Sequence, residues 1–393
     1  MFIFLFILVA GLVLIYANVS PVAPGKKGKL IALGILVSIF LGMFFRDTLF
    51  GCAVVAFTSV WLCQALLFYI PWDLFRGVHR IVVRRAMQPK TLMFASRILL
   101  AATIALTLAL FAYGVPHNGN YRLLETTVKL PSRHAVMAST DSIAVADSSV
   151  TDSSIVTLQA QSGFTAVFFS DVHVDPLFRR VKLERMIADV DSVKPDYLLF
   201  GGDLADVSTM QLDEWGYDTL FSQLTSKAKV AAVAINGNHE SMQERDGSDP
   251  DAWMRKVGFV VLDDSSACIG QACFTGRTDF QVASRRGIER VPLASLAPND
   301  SVRPWILMDH QPKGIEPEYS GRLPDFALSG HTHDGQFFPG TIVINFVWRL
   351  AFGEGVLDGV RWLVSAGVDC WGPPVRAGSD ADMWVVRFLT DSI

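Results

Sequence analysis

The chain lacks any surplus of positive charge: 34 Lys and Arg face 38 Asp and Glu, a formal net charge of −4. A protein held to nucleic acid by phosphate contacts needs a basic surface, so nucleic acid is not an expected partner. Charge of either sign is also sparse. Charged residues make up 18% of the chain against 51% hydrophobic ones, and mean hydropathy is +0.35. That is too apolar for an ordinary soluble protein of 393 residues. Histidine is scarce, at eight residues, yet every one beyond residue 162 falls in a short motif. The length suggests two or three structural units.

The apolar excess sits in the first 115 residues, as four runs: Phe2–Val19, Leu30–Phe45, Phe50–Ile70 and Ile98–Val115. Each is near or beyond the ~18–20 residues that cross a bilayer core. The first run lacks the basic leader of a cleaved signal peptide, and three more follow, so it reads as a retained span. The first connection carries Lys26, Lys27 and Lys29, and the third carries Arg76, Arg80, Arg84, Arg85, Lys90 and Arg97. The second, Arg46-Asp47-Thr48-Leu49, is neutral. By the positive-inside rule the two basic connections are cytoplasmic, and everything after Val115 lies outside. The expectation is a multi-pass protein of the cell (inner) membrane with an extracytoplasmic catalytic domain. Its divisions are 1–115 (about four membrane helices), 116–162 (a linker, with a weakly alternating, strand-like Tyr121–Leu130 and a low-complexity insertion over Ala138–Ser154) and 163–393 (a globular domain).

Five cysteines are present. Cys52 and Cys63 lie in the third apolar run, and Cys370 has no obvious partner. Cys268 and Cys273 flank Ile269-Gly270-Gln271-Ala272. A two-residue turn at Gly270-Gln271 makes Ile269 and Ala272 the closing pair and the cysteines the next, closer pair, within disulfide reach. Two free buried thiols are the alternative.

From Phe164 onward, short apolar runs alternate with helical patterns, which implies a mixed α/β (α+β) fold with parallel strands. Five fragments share one placement directly after an apolar run. They are Asp171/His173, Asp203, Asn238/His239, His310 and His331/His333. In layered α/β folds, sites form where loops converge at the C-terminal strand edges. Any one fragment has a structural reading, such as a helix cap or a turn; their joint occurrence does not. Carboxylate, amide oxygen and imidazole together suit a borderline divalent ion such as Mn, Fe or Zn. Seven such donors exceed the needs of one ion, and a carboxylate bridging two ions accounts for the number. Two divalent ions can hold a phosphate and lower the pKa of a bridging water, the chemistry of phosphoester hydrolysis.

In this order, Asp-x-His, Gly-Asp-x-x-Asp, Gly-Asn-His-Glu, a lone His and Gly-His-x-His resemble the calcineurin-like metallophosphoesterases, and the branch with a membrane-anchored N-terminus in particular. Gly330–Gln336 and Trp371-Gly372-Pro373-Pro374-Val375-Arg376 carry the branch pattern, with Asp334 where Gly is usual. The resemblance implies two β-sheets sandwiched between helices. It assigns Asp171, His173 and His333 to one ion, and Asn238, His310 and His331 to the other. Asp203 would bridge them. It makes His239 the proton donor, helped by Asp206. Asp334 and Arg376 are weaker candidates for substrate contact, and Arg376 would otherwise pair with Asp380 or Asp382. Asp175 and Glu240 would orient imidazoles or be solvated acids. The implied substrates are phosphomonoesters, phosphodiesters or pyrophosphates, with a lipid or lipid-linked nucleotide among them. A catalytically silent membrane scaffold or sensor is the alternative, and a missing ligand would be its mark. The apolar segments Phe337-Phe338 and Phe346–Phe352 read either as core or as membrane-interface contacts.

Overall fold

The computed structural model describes residues 12–45, 48–130, 163–243 and 247–390. The start of the first expected span, Arg46, Asp47 and the low-complexity stretch lie outside them. The chain divides into two compact units. The first holds the residues up to Gly119 together with Asp175–Phe178 and Cys370–Ala377, and the second holds the rest.

The first unit is helical. A short apolar helix α1 (Leu12–Val22) precedes three helices long and apolar enough to cross a membrane: α2 (Lys26–Phe44), α3 (Leu49–Val83) and α4 (Pro89–Asn118). Ile15, Val19, Ala32, Trp61, Ala65 and Tyr69 form its core. The indole N–H of Trp61 donates to Thr103 Oγ1 at 3.0 Å, so a buried polar pair is satisfied. Elsewhere the helices turn apolar side chains outward, as at Leu30 and Phe44, which suits lipid and not water. The helices overrun the expected spans: Arg76 and Arg80 lie on α3, past Pro71, and Lys90 and Arg97 lie on α4. Hydropathy marks where lipid ends. Backbone hydrogen bonding, which sets the helix end, continues beyond it.

The second unit begins with β1 (Tyr121–Leu130), β2 (Gly163–Phe169), α5 (Arg180–Val193), β3 (Tyr197–Phe200), α6 (Thr209–Glu214), α7 (Tyr217–Thr225) and β4 (Ala231–Ala234). It continues with α8 (Glu240–Gln243), α9 (Pro250–Lys256), β5 (Phe259–Val261), β6 (Ser265–Ile269), β7 (Ala272–Gly276), α10 (Phe280–Arg286) and α11 (Leu293–Leu296). Last come β8 (Trp305–Met308), β9 (Phe326–Ser329), α12 (Gly340–Val347), β10 (Gly353–Leu357), β11 (Val360–Val364) and β12 (Ala381–Thr390).

The strands form two six-stranded sheets, ordered β1-β12-β2-β3-β4-β5 and β10-β11-β9-β8-β7-β6. In the first, β2, β3, β4 and β5 are parallel; in the second, β11, β9, β8 and β7 are. β1, the strand-like stretch ahead of the low-complexity insertion, pairs along its whole length with β12. At the β6–β7 hairpin Cys268 stands opposite Cys273 and the two form a disulfide.

Strand periodicity explains the layering. Tyr197, Leu199, Ile306 and Met308 face a core shared by both sheets, together with Phe168, Phe274 and Phe388. The intervening Trp305 and Leu307 face a second core with Trp362 and Val364. Both faces being covered, β3, β8 and β9 are buried at every residue, as parallel strands require. Each buried large side chain contributes about 1.5–3 kcal/mol. The two-sheet α/β fold expected from the sequence is the one observed.

Candidate metal centre

The loops after β2, β3, β4, β8 and β9 carry the motif residues. Asp171, His173, Asp203, His331 and His333 all sit at left-handed backbone angles, with φ of 53°, 45°, 59°, 72° and 51°. Such angles are uncommon for residues other than glycine and persist where surrounding contacts impose them. Here the contacts are visible. The Asp171 N–H donates to Gly202 O at 2.9 Å, and those of Val172 and His173 to Asp203 O at 2.9 and 3.1 Å. The His331 N–H donates to the Asp171 carboxylate at 3.1 Å. Glycine is needed where the loops touch: a Cβ on Gly367, at φ +84°, would lie 2.6 Å from Asp171 Cβ.

Donor atoms gather in two sets, linked by a third group of His173, Asp203 and His239. Asp171, His173 and His333 offer atoms within 4.8 Å of one another, and so do Asp203, His310 and His331. His333 Nε2 is 3.5 Å from Asp171 Oδ1, and His310 Nε2 is 3.1 Å from Asp203 Oδ2. His173 Nε2 is 3.8 Å from Asp171 Oδ1 and 3.6 Å from Asp203 Oδ2, so Asp203 lies beside both sets. Asn238 is buried next to His239, whose backbone N–H donates to Asp203 Oδ1 at 2.9 Å. Asn238 Oδ1 and His173 Nε2 are buried without a protein hydrogen-bond partner, and His310 Nε2 faces the Asp203 carboxylate. Orphaned buried acceptors are costly, and a divalent cation is the partner that an amide oxygen, imidazoles and carboxylates share. The donor set therefore fits bound metal. Cys268, Cys273 and Asp300 also lie close together, but the two sulfurs are bonded to each other.

The far ring nitrogens are held. His310 Nδ1 is 2.7 Å from Gly201 O, His333 Nδ1 is 3.2 Å from Asp369 O, and His173 Nδ1 is 3.2 Å from Asp206 Oδ1. These bonds set the rings so that each Nε2 points at the carboxylates. Asp206 Oδ1 also lies 2.5 Å from His239 Nδ1, which turns His239 Nε2 toward Asp203 Oδ2, at 4.0 Å.

Electrostatics follow from burial and crowding. Burial disfavours charge on Asp171 and Asp203, but the imidazoles of His333 and His310 outweigh it and hold both carboxyls below the usual carboxylate range. Burial, reinforced by His310, lowers His331 to about 3, whereas at His173 and His310 burial is outweighed by the neighbouring carboxylates, which raise both. Burial and the nearby Asp203 charge push Glu240 up to about 7. Glu240 accepts the N–H groups of Leu204 at 2.7 Å, Gly237 at 2.8 Å and Asp203 at 3.3 Å. It thus braces the backbone under Asp203 instead of orienting an imidazole.

The remaining candidates are not among the clustered donors. Asp334, at φ 49°, donates its N–H to Thr332 Oγ1 at 3.3 Å. Arg376 is fully buried in the helical unit, where its N–H donates to Gly114 O at 3.2 Å. Asp380, its suggested partner, pairs with Arg122 at 2.9 Å. Asp175 caps its own turn by accepting the Leu177 N–H at 2.8 Å.

Three supports escaped sequence reasoning. Buried Lys182 donates to Asp369 Oδ2 at 2.8 Å and Val368 O at 2.9 Å, fixing the loop whose carbonyl holds His333. Gly367 lies against Asp171, and Gln281 Nε2 lies 3.4 Å from His331 Nε2. None has a local signal. Lys182 sits on an ordinary amphipathic helix and reads as a solvated face.

Residues 164–335 match the family model of the calcineurin-like phosphoesterases. An uncharacterized metallophosphoesterase of Helicobacter pylori strain J99 is 26% identical over 225 residues, 57% of this chain and 59% of that protein. A transmembrane protein with metallophosphoesterase domain from Danio rerio is 27% identical over 240 residues, 57% of this chain and 53% of its own length. This chain therefore spans under three fifths of the length of these two relatives. A solved structure, Pseudomonas putida nuclease MPE, is 17% identical, with 55% of this chain and 80% of that one covered at a TM-score of 0.28. Residues 164–335 thus match the calcineurin-like phosphoesterases, and in this chain helices long and apolar enough to cross a membrane precede that segment.

Proposed function

We propose that this protein is a membrane-anchored hydrolase of phosphate esters that works with two divalent ions, Mn before Fe or Zn. The observation that carries the reading is the pair of donor sets, Asp171–His173–His333 and Asp203–His310–His331, with Asp203 beside both. Asn238, its buried amide oxygen without a protein partner, completes the second set. When bound, the ions supply Lewis acidity toward the phosphoryl oxygens and activate water.

The chain's own groups do the rest. His239 presents Nε2 beside Asp203 while Asp206 holds its Nδ1 at 2.5 Å. Burial works against a charged His239, but Asp203 and Asp206 outweigh it and raise its proton affinity. It is thereby equipped to protonate a leaving alkoxide. Asp206 is a positioning residue for both His173 and His239. Asp334, on the turn that carries His333, would tune which substrates approach.

The catalytic unit is assigned to the extracytoplasmic side. The basic residues that flank the α1–α2 and α3–α4 connections support this, as does the Cys268–Cys273 disulfide, which suits an oxidising compartment. Phosphomonoesters, phosphodiesters and pyrophosphates all remain within the chemistry of the site. The test is hydrolysis of an aryl phosphate and an aryl phosphodiester by the purified chain with added Mn. Turnover that is lost in Asp203→Asn and His239→Ala supports the reading. Absence of turnover in the wild type, or unchanged turnover in both variants, rejects it.

A further inference from the structure

Helix α12 is the odd element of the second unit. Its sequence, Gly-Thr-Ile-Val-Ile-Asn-Phe-Val, carries no charge, and none of its residues is buried. Ile342 is 54% exposed, Val343 51%, Phe346 87% and Val347 63%, and Phe338 just before it is 47% exposed. By contrast α5 buries Leu183, Met186 and Val190. A contiguous apolar surface of this kind marks an interaction site.

The surroundings say what covers it. Eight residues of helix rise only about 12 Å, too short to span a bilayer but suited to lying in its surface layer. At the C-terminal end stand Trp348 and the exposed Arg349, with Lys313 Nζ 4.4 Å from the Trp348 ring and 4.7 Å from the Phe280 ring. Tryptophan beside cations is the composition of a lipid headgroup boundary. The tether points the same way. α4 ends at Asn118 and β1 starts at Tyr121, a gap of at most roughly 11 Å between Cα atoms. The second unit is thus tethered within a few residues of a helix apolar enough to cross a membrane. Finally, the Trp348 ring lies edge-on to His331 at 5.4 Å, so whatever α12 enters is brought to the metal centre.

We propose that α12 lies in the outer layer of the membrane and that the substrate is an amphiphilic phosphoester drawn from that layer. The first part stands on α12 alone; the second rests on the hydrolase reading above.

The full chain, reconstituted in vesicles of phosphatidylcholine and phosphatidylglycerol, is spin-labelled through Phe346→Cys or Met210→Cys, with Cys52, Cys63 and Cys370 changed to Ser. Met210, 65% exposed on α6, is the control. The label at 346 is expected to be open to oxygen and closed to a water-soluble nickel chelate, and the label at 210 the reverse. Equal access of the chelate at both positions overturns the proposal. So does protection at 346 from both reagents, which marks a protein partner such as a second copy. Next, Ile342→Asp/Phe346→Asp is compared with wild type on a vesicle-borne phospholipid ester and on a soluble aryl phosphate. Loss of apolar burial predicts at least about a tenfold drop on the lipid, with aryl phosphate turnover within about twofold. Equal effects on both substrates overturn the substrate class. No wild-type turnover on either rejects the hydrolase reading and the substrate class with it, while the label depth still decides the helix.

Discussion

The two sheets of the sandwich contribute differently to the candidate metal centre. The β1-β12-β2-β3-β4-β5 sheet supplies every oxygen donor, Asp171, Asp203 and Asn238, along with His173 and His239. The β10-β11-β9-β8-β7-β6 sheet supplies His310, His331 and His333. Neither edge holds a complete set. His310 reaches across to Asp203 at 3.1 Å and to Gly201 O at 2.7 Å, and His331 donates its N–H to Asp171. Metal affinity should therefore be coupled to how well the sheets pack, and each half should be breakable from the other's side.

The largest expected effect is at the residue nearest both halves. Asp203→Ala should reduce phosphoester hydrolysis by more than about a thousandfold, since even one preorganised electrostatic donor is worth about 10²–10³. Metal analysis should find fewer than two ions in that variant. His239→Ala, on the same sheet but outside the two donor sets, should cost about 10²–10⁴ in kcat, the value of general acid catalysis, and should leave metal content unchanged. Loss of metal in His239→Ala would place that residue among the ligands.

Packing between the sheets comes next. Phe274 is buried in the shared core, its ring 5.0 Å from that of Tyr197. Phe274→Ala should destabilise the second unit by about 3–5 kcal/mol, read as a lower unfolding temperature. It should also weaken metal binding, although Phe274 touches no donor. Unchanged affinity would show that the sheets hold the centre independently of their packing.

A subtler break is on the imidazole side. Lys182→Met keeps the stem buried but removes the cation that fixes Asp369. Supports of this kind are worth about 10–100-fold in metal affinity, and the loss should fall on the ion held by His333. The smallest effect is expected far from the centre. Breaking the Cys268–Cys273 link with Cys268→Ser/Cys273→Ser frees only a short loop, worth about 2 kcal/mol or less, and should leave hydrolysis intact.

How much was readable in advance divides along the same line. The apolar runs before Asp171, Asp203, Asn238, His310 and His331 are β2, β3, β4, β8 and β9. Strand periodicity and the position of the polar residue after each run are local signals, and they marked both the layers and the loop residues that the fold brings together. The supports Lys182 and Gly367 were invisible because they act across the chain, meeting Asp369 and Asp171; Glu240 was singled out, but its role was not, since it reaches back to Asp203 and Leu204. The alternation of Tyr121–Leu130 marks a strand, but nothing in it reveals a partner some 260 residues later, at Ala381–Thr390. Helix ends were missed because polar residues such as Arg76 and Arg80 continue a backbone ladder that hydropathy does not see.

Metal stoichiometry tests the central claim most directly. The purified full chain, loaded with Mn and freed of excess, should carry two ions per chain, and Asp203→Ala fewer than two. A wild-type chain holding one ion or none under the same loading would contradict a centre built jointly by the two sheets.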